Sequence, residues 1–93
     1  MTYRKQYIRV DVSIDENGTM RPQTVHWTDD RSYEVTRVKH IIPAPAMKAG
    51  GQGDRYTVVM EGQEKYLYFE HPCESEKTFS IGRWFVEAPN IGN

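Results

Sequence analysis

The sequence predicts an all-β domain: a small antiparallel barrel or rolled sheet of five to six strands. The first reason is alternation. Ile8, Val10, Val12 and Ile14 alternate with Arg9, Asp11, Ser13 and Asp15, the period-two pattern of a half-buried strand. The other apolar runs are short and separated by turn-forming residues, and none has the 3.6-residue period of an amphipathic helix of useful length. Finally, Tyr33 and Val35 occupy odd positions while Val38 and Ile42 occupy even ones, which a flat strand cannot hold on one face. Either the strand serves two different faces, or an extra residue near Thr36–Arg37 restores the phase as a bulge that bends it, as in small barrels where one strand belongs to both halves of the wall; the alternative is two short strands with an irregular join.

After the first strand, Asp15-Glu16-Asn17-Gly18 is a turn, because Asn-Gly tolerates the positive φ angles of a tight hairpin. The return towards Trp27 contains Pro22, so that strand either starts after the proline or lies on an edge. Residues 28–32 form a polar turn around Asp29 and Asp30. The long strand Tyr33–Ile42 ends at Pro43-Ala44-Pro45. Residues 47–54 read as a mobile loop because they carry three glycines and only Met47 as a large apolar anchor. Arg55–Glu61 and Glu64–His71 form a hairpin about Gly62-Gln63. Residues 71–77 are a polar loop, Thr78–Ile81 is a short strand with Phe79 and Ile81 inward, and Arg83–Ala88 is the last strand. Trp27 and Trp84 are both expected to be largely buried near the long bent strand.

With 93 residues, positions 1–93 make a single domain able to bury one modest core. The net charge of -1, from 12 basic and 13 acidic residues, lacks the basic excess of a dedicated nucleic-acid binder. One cysteine, Cys73, excludes an intrachain disulfide and points to a reducing, cytoplasmic setting. No apolar run has the length of a membrane span, so no membrane contact is expected. Nothing in the pattern sets an oligomeric state.

The pattern Trp27, Tyr33, Val35, Val38, Tyr56-Thr57-Val58, Leu67-Tyr68 and Trp84, spread over roughly residues 23–87, resembles a family of small bacterial domains. That family accompanies the Y-family-like polymerase subunits of mutagenic DNA repair. The resemblance implies an SH3-like barrel and an association with DNA transactions. It carries over no catalytic residue, and His40-Ile41-Ile42-Pro43 stands where the family has a second tryptophan.

Four candidate sites emerge. His26, His40, His71 and Cys73 are the soft metal ligands, but they lack the paired spacing of a zinc site, so no metal or other cofactor is expected. Gly50-Gly51-Gln52-Gly53 between Lys48 and Arg55 resembles a phosphate cradle without the ending of a P-loop, and reads better as a loop. Asp29, Asp30 and Glu34 are carboxylates close in sequence, but acids at a turn are normally solvated and no nucleophile motif accompanies them, so no enzyme is expected. The fourth candidate is a binding face combining Tyr66, Tyr68 and Phe85 with Arg37, Lys39, Lys48, Arg55 and Arg83. Exposed rings beside cations suit single-stranded nucleic acid or a protein surface. The expected function is a non-catalytic binding module for a protein partner or nucleic acid. The alternative is a minor enzyme or metal-dependent accessory protein.

Overall fold

The computed structural model describes residues 2–27, 29–46, 51–72 and 80–90. Six strands form a closed antiparallel barrel: β1 (Tyr3–Ile14), β2 (Met20–His26), β3 (Ser32–Ala46), β4 (Gly51–Met60), β5 (Gln63–Glu70) and β6 (Arg83–Pro89). Neighbours in the chain are neighbours in the wall, and β1 closes on β6. The described residues contain no helix.

Closure requires strands that change partner. β3 pairs with β2 through Ser32–Glu34 and with β4 from Val35 to Ala46, so the long bent strand serves both halves of the wall. Thr36 is the extra residue in its ladder, and its hydroxyl donates to the Val59 carbonyl at 3.1 Å. β1 does the same, pairing with β6 through Tyr3–Ile8 and with β2 through Arg9–Ile14.

Local chemistry sets the turns. Asp15 accepts the backbone N–H groups of Asn17 and Thr19 at 2.9 and 3.0 Å, and Gly18 takes φ 83°. Glu61 and Gly62, at φ 51° and 74°, make the two-residue turn between β4 and β5. The turn therefore falls one residue before the expected Gly62-Gln63, because Met60 and Gln63 close the ladder. Pro22 lies inside β2 beside the extra residue Gln23, on a stretch that β3 does not reach.

Several expectations are corrected. β3 continues through Pro43 and Pro45 to Ala46. These prolines are two residues apart, so both missing N–H groups fall on the same edge, and beyond Glu34 one edge of β3 has no partner among the described residues. A second extra residue, Lys39, reverses the phase again, so Ile41 rather than Ile42 stands opposite Tyr56, and both isoleucines remain exposed near the end of the strand. Gly51–Asp54 belong to β4 and are not a loop or phosphate cradle, while residues 47–50, including Lys48, lie outside the described residues. Gly53 serves close packing: a Cβ there would stand 2.5 Å from the Phe69 carbonyl oxygen. Ile81 is 63% exposed and outside any strand, and Phe79 is not among the described residues.

Val25, Tyr56, Val58, Leu67, Phe69 and Trp84 form the buried core. The Trp84 ring lies 4.8 Å from Tyr56 and 5.1 Å from Phe69, both at steep angles. Trp27 packs against the margin of this core and is partly buried, less so than Trp84.

Candidate functional site

Two seams of the barrel wall are short among the described residues, β2 with β3 and β5 with β6, and the second borders a cleft. β5 pairs with β4 from Gln63 to Phe69, but with β6 only at Tyr68–Glu70. β6 pairs with β1 from Trp84 to Pro89, and with β5 only at Arg83–Phe85. Among the described residues, Gln63–Leu67 thus present an edge without a strand partner, facing the stretch of β6 beyond Phe85.

A cleft of about 580 Å³ lies in this gap. Every residue from Gln63 to Tyr68 lines it. Alternate residues of a strand point to opposite faces, so a cleft touching all of them approaches the strand along its edge. Val25, Met60, Leu67 and Val86 supply apolar lining, and Tyr3, Trp27, Tyr33, Tyr66 and Tyr68 supply rings. Glu61, Glu64 and Glu87 bring three carboxylates against one cation, Lys65. Lys39 binds Glu64 at 2.7 Å, and the Tyr68 hydroxyl donates to Glu87 at 3.1 Å. Burial, assisted by the Glu87 charge, pushes the Tyr68 phenol up to about 12, so it remains a donor at neutral pH.

The expected binding face is corrected in part. Phe85 and Tyr68 are 0% and 2% exposed. They stack on each other at 5.1 Å and 9°, with Tyr7 edge-on to Phe85 and the Lys5 ammonium 5.2 Å from that ring. Phe85 therefore offers no free surface for a base. Tyr66, 50% exposed, remains accessible, and the Arg55 guanidinium covers its ring at 4.6 Å. The buried Arg55 Nε has no hydrogen-bond partner among the described residues.

The cations are dispersed and mostly engaged. Arg37 is exposed on β3, Lys39 is paired with Glu64, and Arg83 binds Glu70 at 3.2 Å and stacks on Tyr7 at 4.0 Å. Only Tyr66 and Tyr68 of the expected residues line the cleft. Trp27 is one of the aromatics that need not all fit inside, whereas Tyr3, Tyr33 and Val86 escaped sequence reasoning because they meet only after barrel closure. The one signal that pointed to it was the excess of aromatics over what one small core accommodates.

Two polar clusters lie elsewhere. Glu70 joins Lys5, Tyr7 and Arg83 beside the Tyr68–Phe85 pair. Burial works to raise the Glu70 carboxyl, but hydrogen bonds from Lys5 and Tyr7 and the nearby positive charges hold it below its ordinary value. A carboxyl lowered by folding contributes stability above its unfolded range and loses it as pH falls through the lowered value. Glu70→Gln is accordingly expected to cost ~1–2 kcal/mol at pH 7, with the difference from wild type shrinking in acid. Urea unfolding of both proteins from pH 7 down to pH 3 measures this, and equal stability at pH 7 would remove Glu70 as an anchor.

In the second cluster, His26 Nε2 lies 2.8 Å from Asp11 and Nδ1 lies 3.1 Å from the Ser32 hydroxyl. The order resembles a hydrolase triad, but the cleft lining includes none of the three, and they stand on the outer wall as cross-strand neighbours. His71 binds Asp54 at 3.0 Å and sits edge-on to Phe69. Among the described residues no group of three or more His, Cys, Asp or Glu side chains could hold a metal, and Cys73 is not described.

No family model, curated protein or solved structure matches the chain.

Proposed function

We propose that this protein is a non-catalytic binding module that holds a segment of a protein partner in the cleft between β5 and β6. The open seam carries this reading: two strand edges part over apolar lining surrounded by aromatic rings. A protein partner is favoured over nucleic acid because three carboxylates and one cation stand among the described residues lining the cleft, and carboxylates repel phosphate. The dispersed, ion-paired basic residues weigh the same way. A cytoplasmic location suits a chain with a single cysteine.

Selection of displayed random peptides on the purified protein, followed by amide chemical-shift mapping, tests the reading. Bound peptides are expected to shift Gln63–Leu67, Val86 and the Trp27 indole. If selection yields no peptide that maps to these residues, the reading falls. If single-stranded DNA instead shifts Arg37, Arg55 and Arg83, the function moves to nucleic-acid binding on the outer wall.

A further inference from the structure

An unpaired strand edge is a row of backbone donors and acceptors with a fixed spacing. Most proteins cover such edges, because an exposed one pairs with any extended chain that fits. Here Gln63–Leu67 leave one edge without a strand partner among the described residues, although the same residues are fully laddered to β4 on the other side. β5 is thus held straight and in register by β4 while its other edge faces the cleft. A guest strand added there would continue the sheet and gain main-chain hydrogen bonds without rearranging the wall.

The surroundings select among guests. Alternate side chains of an added strand would face the apolar lining at Leu67, Val25 and Met60, while the others would face the outer wall at Tyr66 and Glu64. The cleft also gathers four tyrosines and Trp27 with Glu61, Glu64 and Glu87; Lys65 is the cation among the described lining residues, and Lys39 pairs with Glu64 beside it. Ring faces and carboxylates both attract cations, and the carboxylates repel anions. Tyr66 already receives a guanidinium, from Arg55.

Resting on the binding-module reading, we propose that the partner segment is a cationic extended peptide, bearing lysine or arginine between apolar residues, that adds to the open edge of β5 as a strand. β5 and β6 pair from Tyr68 to Glu70 and not towards Gln63, so the guest takes the edge of β5 and leaves β6 as a flanking wall.

The test uses the full chain and capped heptapeptides of three kinds, four peptides in all, read by amide chemical shifts and by titration of Trp27 fluorescence in Trp84→Phe protein. The first peptide alternates lysine with valine. The second replaces lysine by glutamate. The third is the lysine peptide in two N-methylated forms, blocking one or the other set of alternate amides. The lysine peptide is expected to shift Gln63–Leu67 and to bind about tenfold or more tightly than the glutamate peptide at low salt. Glu61→Lys, at an exposed turn position, is expected to narrow that ratio. One N-methylated form is expected to lose at least about tenfold in affinity while the other binds nearly as the parent does, because a strand presents alternate amides to its neighbour.

Equal losses for both forms, or none, would overturn strand addition. Equal or tighter binding of the glutamate peptide would overturn the cationic partner. In either case a selected peptide that still maps to the cleft leaves the binding-module reading standing, whereas silence of the cleft towards every peptide removes both. Concentration-dependent dimerisation of the free protein with protection of the Gln63–Leu67 amides would identify a second copy as the occupant and overturn the proposal.

Discussion

Gly82→Ala is expected to lower stability by about 3 kcal/mol or more, an unusually large effect for one added methyl group. Gly82 has φ 143°, a conformation in which an L side chain is strained by ~1–3 kcal/mol. A Cβ at this position would also stand 2.5 Å from both the Glu70 carbonyl oxygen and the Phe69 Cζ atom. The carbonyl belongs to the backbone and cannot turn aside, and the Phe69 ring is held against Trp84 in the core. Relieving the contact therefore requires β6 to move away from β5 at the one stretch where they pair, Glu70 with Arg83. Overpacking adds a further ~1–3 kcal/mol. For a domain of this size, 3 kcal/mol corresponds to a fall in Tm of roughly 12–24 °C. Thermal unfolding followed by tryptophan fluorescence measures it, and a change of only about 2 °C would show that the β5–β6 junction is not constrained as described.

Trp84→Ala is the second large expectation, at ~3–5 kcal/mol. Trp84 is buried among Tyr56, Phe69 and Val58, and its removal leaves a cavity that three strands cannot close without losing register. Total stability of a chain this long is only about 5–14 kcal/mol, so the variant should sit near the edge of folding at 37 °C. Trp27→Ala supplies the contrast. Trp27 is half-buried and lines the cleft, so its loss should cost only ~1–2 kcal/mol, while weakening any peptide that binds there. Urea unfolding of both variants against wild type reads the difference. A loss under about 1 kcal/mol for Trp84→Ala would take Trp84 out of the core, and a larger loss for Trp27 than for Trp84 would invert the assignment of core and cleft.

The bulge at Thr36 is legible in the amino-acid pattern, because Val35 and Val38 cannot both face inward in a regular strand and both pack on the core. The bulge at Lys39 is not. Ile41 and Ile42 are equally apolar, and only the register with Tyr56 and Arg55 decides which of them shares a face with Tyr56. Gly53 carries the opposite lesson. Three glycines in four positions suggest freedom, whereas this one is set by the approach of the Phe69 backbone from β5, information held 16 positions along the chain.

The inventory of strands and turns is written locally in the chain. Alternation, Asn17-Gly18, the polar turn at residues 29–31 and the phase change in β3 each involve a few consecutive residues, and backbone preferences act on them directly. Burial and pairing arise only when the barrel closes. Tyr66 and Tyr68 share one face of β5, yet Tyr68 is buried against Phe85 while Tyr66 is half exposed, because β6 meets β5 at one and has parted from it at the other. The cleft arises from the same divergence: β1 holds β6 along its length, β4 holds β5 along its length, and the two pairs of strands meet at only three positions. Strand period assigns a residue to one of two faces. Which parts of those faces are covered, and where an edge stays open, depends on how the first strand of the chain meets the last.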